Sequence, residues 1–262
     1  MVKIDISVVL LTYNQEAYVN KSIDSILNQK FSGSLEIIVV DDCSDDHTFE
    51  IIQSKKPINS VLIRTYSNKV NLGLAKNYEK AIFKANGKYI AYLEGDDYWT
   101  DPFKLQKQFE FLEKHPECVL SFHDFVTIDK NDKIISDKNL LNKSIKKNRS
   151  KKEMVMGCLI HQNTMVFRNV VRKFPLGFFK ARNHDTFFIS FLSNWGTAGY
   201  VECDPLHYRI IENSLWSSLS TRKKHINGLI TYLWIFSIVK PSFYFVLLNK
   251  ILLKMKYILL RF

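Results

Sequence analysis

Apolar runs alternate with amphipathic segments through the first hundred residues. Four runs are rich in β-branched and aromatic side chains, which predicts buried strands at residues 6–11, 35–40, 61–66 and 89–93. Hydrophobic side chains at helical spacing and capping residues predict helices between them, at residues 16–29, 45–55 and 74–86. Continuous apolar strands separated by helices indicate a parallel sheet with both faces covered, so we expect an α/β fold.

The pattern becomes mixed after residue 102, and no internal repeat is visible. It predicts a helix over 103–115, one strand over 118–128 and a polar, basic loop over 138–152. Short strands at 163–167 and 199–210 bracket a predicted helix at 185–195. We expect this second half to complete the sheet and to shape a cleft.

The fourth apolar run ends in three carboxylates, Glu94, Asp96 and Asp97. The carboxyl edge of an open α/β sheet is where ligands bind, so these acids are placed at a candidate site. Their like charges repel one another unless a cation or hydrogen-bond donors hold them, and a hard divalent metal bridging a phosphate is the usual occupant. The alternative is an acidic surface turn.

Composition describes an ordinary globular chain. Its 262 residues are 46% hydrophobic and 24% charged, which suits one catalytic domain with an appendage. The four cysteines are far apart and form no CxxC pair, and the chain opens directly on a strand-like segment without a secretory signal. These features favour a reducing cytoplasm and no structural zinc.

The net charge of +11 is regional. Residues 138–152 hold seven Lys/Arg and no acid, and residues 213–262 hold eight and again no acid. The other segments carry 22 basic against 26 acidic residues and are mildly acidic. Aromatic residues do not interleave with the basic loop as a strand-stacking surface requires, so a nucleic-acid binder is disfavoured.

Five segments occur together in a fixed order: residues 7–14 (SVVLLTYN), 39–46 (VVDDCSDD), 71–77 (NLGLAKN), 94–97 (EGDD) and 183–185 (NHD). This ordered set resembles the family-2 glycosyltransferases of the GT-A fold, strongly over residues 5–100 and more thinly beyond. The resemblance implies a Rossmann-like, mostly parallel sheet flanked by helices. It also implies a catalytic domain over 1–220, with a nucleotide-binding half (1–100) and an acceptor-binding half (101–220), before a basic helical tail (221–262).

The resemblance implies a nucleotide-sugar donor, most simply a UDP-sugar. One of Asp41 and Asp42 is implied to accept a hydrogen bond from the uracil ring or a ribose hydroxyl, and which of the two remains open. Asp96 is implied to lie near the ribose and Asp97 to bind Mn²⁺ or Mg²⁺ directly, with Glu94 at a position that is usually Asp. The other implied donor contacts are Thr12, Tyr13, Asn14, Glu16, Asn71, Gly73 and Lys76, for several of which a turn or helix cap is the alternative.

Asp185 is the candidate general base. The family commonly has a Glu-Asp pair before a helix at this point, where this chain has His184 and Asp185. The implied reaction is an inverting transfer of the sugar to a hydroxyl of a glycan or lipid-linked glycan. Arg209 could neutralise a diphosphate or lipid phosphate. The Gln-x-x-Arg-Trp signature of processive synthases is absent from the sequence, which favours one sugar per encounter.

The C-terminal tail from residue 229 is apolar but interrupted by lysines, and no uninterrupted run reaches the ~20 residues of a spanning helix. On a helical wheel Lys250, Lys254 and Arg261 form one stripe, which favours a helix lying on an anionic membrane surface. Packing on the catalytic body or in a homodimer is the alternative. The membrane interpretation places the protein on the cytoplasmic face, in surface polysaccharide or lipopolysaccharide assembly.

Other functional classes remain as alternatives. A degenerate, non-catalytic regulator that binds nucleotide or membrane is one, and a nucleotidyltransferase, which would release pyrophosphate, is another. A dinucleotide oxidoreductase is excluded because no GxGxxG follows the first strand.

Overall fold

A computed structural model describes residues 3–56, 61–141, 145–210 and 219–260. The strands in these ranges are β1 (Ile6–Thr12), β2 (Leu35–Asp41), β3 (Leu62–Ser67), β4 (Tyr89–Glu94), β5 (Cys118–Phe122), β6 (Phe125–Ile128), β7 (Ile134–Ser136), β8 (Val166–Arg168), β9 (Thr197–Tyr200) and β10 (Leu206–Arg209). The α-helices are α1 (Val19–Leu27), α2 (Thr48–Ser54), α3 (Leu74–Lys84), α4 (Lys104–Lys114), α5 (Lys138–Leu141), α6 (Lys151–Val155), α7 (Leu176–Lys180), α8 (His184–Leu192), α9 (Thr221–Phe236) and α10 (Tyr244–Leu260).

Seven strands form the central sheet in the order β3-β2-β1-β4-β8-β5-β9. All run parallel except β8, which is antiparallel to both β4 and β5. Three further strands form a small sheet in the order β10-β6-β7. The α/β fold with a mostly parallel sheet is thereby confirmed, and strands from both halves of the chain complete one sheet.

The central sheet is buried on both faces, as the continuous apolar runs predict. Along β1 every side chain is buried, and alternate residues enter different cores. Val9 and Leu11 join the core that includes α3, α8 and the C-terminal helices, whereas Val8 and Leu10 join the core beneath α1 and α4. The two cores fix the sheet between helical layers, so the carboxyl ends of β1, β2 and β4 meet at one edge.

The prediction of one strand over 118–128 is wrong. The chain breaks at His123 and Asp124, and β5 joins the central sheet while β6 joins the small one. The predicted strand at 199–210 divides in the same way into β9 and β10. A hydrogen bond of 2.7 Å from Tyr200 Oη to Asp124 Oδ2 joins the two breaks. Polar residues lie at both breaks, His123 and Asp124 in the first and Glu202 to Pro205 in the second, but they do not indicate which sheet each strand joins.

The predicted basic loop at 138–152 is also corrected in part. Ser150 and Glu153 form a reciprocal capping box that starts α6. The Arg149 side chain is buried, and its backbone pairs with Ala198 at the end of the central sheet. This part of the segment is therefore ordered by tertiary contacts that its composition does not reveal.

The C-terminal helices pack on the rest of the chain and on each other. Tyr232 and Ile235 of α9 and Leu247 and Ile251 of α10 belong to the larger core. The Lys254 side chain lies against Gly228 of α9, and Arg261, which belongs to the predicted basic stripe with Lys250 and Lys254, lies outside the described residues. Within the described ranges, no helix combines the length and apolarity that crossing a bilayer requires.

One face of α10 remains uncovered in the described structure. Its exposed apolar side chains recur at spacings of three and four residues: Phe245, Leu248, Leu252, Met255 and Leu259. We call these five residues the α10 stripe. Phe245 is 74% exposed and Leu259 65% exposed, so the stripe is a surface rather than part of the core.

Candidate active site

The acidic segment after β4 forms the floor of the candidate site. The Gly95 N–H donates to the Leu11 carbonyl at 2.9 Å, which ties the turn to β1. Asp97 is buried, and both of its carboxylate oxygens accept hydrogen bonds. The Arg209 N–H donates to Oδ1 at 2.8 Å, and the Asn163 side-chain amide donates to Oδ2. These two donors fix the orientation of the Asp97 carboxylate.

The pKa values of all three carboxyl groups of this segment are raised. Burial, then Asp96 and Asp185, raises the pKa of Glu94 to about 8. Burial, then Asp96 and Glu94, raises the pKa of Asp97 well above its usual range. Burial also raises the pKa of Asp96, against the lowering effect of Arg209. Crowded carboxylates of this kind are stabilised in the charged form by a cation.

Asp185 lies in the first turn of α8 and faces this acidic floor. Its side chain is exposed to solvent, and desolvation by the protein groups around it raises the pKa of Asp185 to about 6. Asp185 is close enough to Glu94 to raise the pKa of that carboxyl group. The structure therefore brings the candidate base and the candidate metal-binding acids into one cleft, although they are separated by about ninety residues of sequence.

The loop before α8 is held by the C-terminal part of the chain. The hydroxyl of Thr231, on α9, accepts hydrogen bonds from the N–H groups of Arg182 (3.2 Å) and Asn183 (3.0 Å). Thr231 is fully buried, and its own hydroxyl donates to the Asn227 carbonyl at 2.8 Å. Helix α9 is therefore part of the support of Asp185.

Asp41 and Asp42, at the end of β2, are engaged in different internal networks. Asp41 accepts from Thr12 Oγ1 (2.9 Å) and from the Ser44 N–H (2.9 Å). Asp42 accepts from the N–H groups of Leu72 (2.7 Å) and Gly73 (2.8 Å). Although burial opposes the effect, these donors and the nearby Asn77 and Asn68 amides lower the pKa of Asp42. Both carboxylates thus shape the loops that would surround a nucleotide.

The predicted contacts that follow β1 lie at the same edge. Tyr13 is 48% exposed, whereas Asn14 has a positive φ of 51° and links two loops. The Asn14 N–H donates to Ser44 Oγ, and Asn14 Oδ1 accepts from the Asp45 N–H, both at 3.0 Å. Glu16 Oε2 accepts from the His47 N–H at 2.9 Å. Asn14 and Glu16 therefore already support the loop, and Tyr13 offers an accessible ring.

The segment before α3 supplies the other predicted contacts. Gly73 has φ +80° as the N-cap residue of α3, a conformation that disfavours side chains. Asn71 and Lys76 are exposed beside it. An open groove of about 700 Å³ runs along α3, lined by Leu72, Lys76, Glu79, Lys80, Phe83 and Phe179. This arrangement leaves Lys76 free to reach a bound anion.

Arg209 is held more tightly than the sequence suggests. Its guanidinium is buried and donates to the carbonyls of Asp96 (3.0 Å) and Asp129 (2.7 Å) and to the Asp132 carboxylate (2.5 Å). Asp132 also pairs with Lys21 at 2.7 Å. Arg209 thus braces the acidic turn through its side chain as well as its backbone, and a diphosphate contact stays a prediction.

The sequence analysis missed Asn163. No motif marks this residue, and its partner Asp97 lies 66 positions away. The only sequence signal was its place at the start of a short predicted strand. Asn163 instead belongs to a single 3₁₀ turn, Gln162–Thr164, just before β8.

The residues present suit a divalent cation. Asp96 Oδ1 is buried without a hydrogen-bond partner in the described part of the chain, and burial, followed by the charges of nearby carboxylates, raises the pKa values of Glu94 and Asp97. Within the described ranges, no three His, Cys, Asp or Glu side chains form a complete metal-binding group. Mg²⁺-type ions are commonly held by one or two carboxylates together with substrate phosphates and water, which is the arrangement these acids allow.

Comparisons of the sequence with known proteins give consistent matches. The family model described as "Glycosyl transferase family 2" matches residues 7–174. TuaG of Bacillus subtilis, named a putative teichuronic acid biosynthesis glycosyltransferase, is 29% identical over 214 residues, covering 81% of this chain and 82% of TuaG. Uncharacterised Mycobacterium proteins are 39% identical over 117 residues, and this match spans only about a third of their length (34%).

Solved structures share the fold. Staphylococcus aureus TarS 1–349 in complex with UDP superposes with a TM-score of 0.69 and 17% identity, over 97% of this chain and 72% of that chain. The mannosyltransferase PcManGT of Pyrobaculum calidifontis, in complex with GDP-Man and Mn²⁺, gives a TM-score of 0.67 and 14% identity, over 98% and 70% of the two chains.

Proposed function

The chain belongs to glycosyltransferase family 2, and from this premise we propose that it is an inverting glycosyltransferase that uses a nucleotide-sugar, most simply a UDP-sugar. The acceptor is a hydroxyl of a glycan or lipid-linked glycan in surface polysaccharide assembly. The observation that carries the proposal is the meeting of Asp185 with Glu94, Asp96 and Asp97 in one cleft. The name of TuaG and the nucleotide ligands of TarS and PcManGT support the substrate classes.

In this proposal Asp185 is the general base. Its pKa of about 6 leaves it largely ionised at neutral pH, and its solvent-accessible side chain can meet an acceptor hydroxyl. Asp185 takes the hydroxyl proton as the acceptor oxygen bonds to the anomeric carbon. The bond from that carbon to the diphosphate breaks on the opposite side, so the nucleoside diphosphate leaves and the linkage inverts.

The remaining predicted residues hold the donor. Asp97 is proposed to bind Mn²⁺ or Mg²⁺, which would offset the charge that develops on the departing diphosphate, and Asp96 is proposed to lie near the ribose. Thr12, Tyr13, Asn14, Glu16 and either Asp41 or Asp42 are proposed around the base and ribose. Asn71, Gly73 and Lys76 are proposed near the phosphates. A role for Arg209 at the diphosphate requires it to exchange Asp132 for phosphate oxygens.

We further propose that residues 1–220 form the catalytic domain and that the tail (221–262) holds it on the cytoplasmic face of a membrane. The α10 stripe is apolar and exposed, and no acid occurs in residues 213–262, which complements an anionic lipid surface. A homodimer formed through the α10 stripe is the competing arrangement.

The experiment is to measure nucleoside diphosphate release from UDP-, GDP- and dTDP-sugars, with Mn²⁺ and with EDTA. Wild type is compared with Asp97→Ala, Asp185→Asn and the exposed control Asp137→Asn. We expect metal-dependent release from one donor by wild type and by the control, with strong loss in both site variants. Release of pyrophosphate would identify a nucleotidyltransferase, and silence with intact nucleotide binding, even when glycan acceptors are added, would favour a regulator.

A further inference from the structure

The single turn formed by Gln162–Thr164 is anchored through its backbone. Trp99 Nε1 donates to the Asn163 carbonyl at 2.8 Å, and Gln108 Nε2 donates to the Thr164 carbonyl at 3.0 Å. Trp99 and Gln108 are both buried, so the turn is rigidly positioned beside β4. The side chains of Gln162 and Asn163 are not needed for this anchoring.

These two side chains are almost inaccessible, at 4% exposed for Gln162 and 1% for Asn163. The Asn163 amide nitrogen donates to Asp97, but the carbonyl oxygens of both side chains, Gln162 Oε1 and Asn163 Oδ1, have no partner in the described part of the chain. A buried acceptor without a donor is unfavourable, so these two amide oxygens call for a ligand rich in donors.

The turn lies between the candidate metal ligand Asp97 and the candidate base Asp185. Asn163 contacts Asp97 directly. On the other side, burial raises the pKa of Tyr78, hydrogen bonding with the Gln162 side chain lowers it, and the charges of Asp185 and Glu94 raise it. Gln162 therefore lies near the Tyr78 hydroxyl, on the side of Asp185. Together, Gln162 and Asn163 extend from the candidate base to the candidate metal ligand.

The missing partner must donate hydrogen bonds. Phosphate oxygens only accept them, so the diphosphate of a donor cannot satisfy Gln162 Oε1 or Asn163 Oδ1. A pyranose ring carries several adjacent hydroxyl groups and would lie between diphosphate and acceptor. We propose that Gln162 and Asn163 form the wall that receives the hydroxyls of the transferred sugar and so select the donor sugar. This inference rests on the proposed function.

The test is calorimetric binding of UDP, UDP-glucose and UDP-N-acetylglucosamine in Mn²⁺ buffer. Gln162→Leu keeps the volume and removes the hydrogen-bonding groups, and Gln53→Leu, on the exposed side of α2, is the matched control. We expect Gln162→Leu to bind the preferred UDP-sugar about 10-fold more weakly and to bind UDP as wild type does, because one lost hydrogen bond is worth about 1.4 kcal/mol. The control should bind all three probes like wild type.

A second variant covers the case in which Gln162→Leu fails to fold. Gln162→Asn retains the amide but withdraws it by one methylene, so we expect a changed order of preference between the two UDP-sugars. Equal weakening for UDP and UDP-sugars, or a lower melting temperature with unchanged sugar affinity, would overturn the inference and assign Gln162 to a structural contact with Tyr78. Failure of wild type to bind UDP or either UDP-sugar would overturn the proposed UDP-sugar donor, and this inference with it.

Discussion

Lys104 tests how strongly a buried charge beneath the site lowers the free energy of unfolding. This first residue of α4 is fully buried, and its ammonium nitrogen lies 4.0 Å from the centre of the Trp99 ring. In the described part of the chain no hydrogen-bond acceptor reaches that nitrogen. Burial lowers the pKa of Lys104 to about 7, against the raising effects of Cys203 and Asp101. We predict that Lys104→Met stabilises the protein.

The magnitude follows from the pKa. In the unfolded chain the amine holds its proton up to about pH 10.5, whereas in the folded chain it loses the proton near pH 7. Between these values the unfolded state binds more protons, so the stability of wild type rises with pH. The penalty is about 5 kcal/mol at pH 6, and about 2.5 kcal/mol of it is relieved by pH 9. Loss of the contact with Trp99 offsets up to about 2 kcal/mol of the gain at low pH.

The assay is urea denaturation of wild type and Lys104→Met at pH 6, 7, 8 and 9, followed by circular dichroism. We expect the variant to be more stable by about 3–5 kcal/mol at pH 6, with the advantage shrinking steadily towards pH 9. Lys114→Met, at the exposed end of the same helix, is the control and should change stability little at every pH. A variant less stable than wild type at pH 6, or a difference independent of pH, would refute the reasoning.

Three further predictions concern the site and the tail. As the proposed general base, Asp185 would act in its ionised form, so kcat/KM should rise about tenfold per unit of pH below about 6 and level off above it. Asp185→Asn should lower turnover about 10²–10⁴-fold with nucleotide affinity retained, and a flat profile from pH 5 to 8 would contradict this proposed role. Thr231→Val removes the acceptor for the Asn183 N–H, so the free energy of unfolding should fall by about 1–3 kcal/mol. Turnover should fall too, while the affinity for UDP, measured by calorimetry, is kept. An unchanged turnover would show that α9 does not support the site. Leu252→Glu, in the centre of the α10 stripe, should reduce sedimentation of the protein with phosphatidylglycerol vesicles at least tenfold, whereas the control Leu62→Glu on β3 should not. If light scattering instead shows that Leu252→Glu abolishes a dimer while vesicle binding is unaffected, the stripe is a self-association surface.

The first half of the fold is predictable because its signals are local. The apolar runs of β1 to β4 are each bounded by polar turns, and their predicted limits fall within one or two residues of the observed strands. In the second half, β5 and β6 occupy one apolar run but different sheets, and β8 is only three residues long. Which sheet a short strand joins depends on distant partners, and those leave no pattern in the strand itself.

The residues of the candidate site also divide into those that local sequence signals predict and those that they do not. The acids that end β4 could be placed from the sequence because the carboxyl ends of parallel strands share an edge. Asp185 could be placed only through the order of the motifs, because its distance from the acids is set by the packing of α8. The pairing of Arg209 with Asp132, and of Asn163 with Asp97, joins residues 77 and 66 positions apart and could not be predicted.

The antiparallel strand β8 affects the order in which parts of the protein can fold during synthesis. It fills the place between β4 and β5, and the turn just before it carries Asn163, which holds Asp97. During synthesis at about 5–20 residues per second, β4 leaves the ribosome several seconds before β8. In that interval, the edge of β4 that later pairs with β8 is unpaired. The acidic turn gains its last brace only when Arg209 emerges. The nascent chain therefore acquires its reactive cleft late, after most of the polypeptide has been translated.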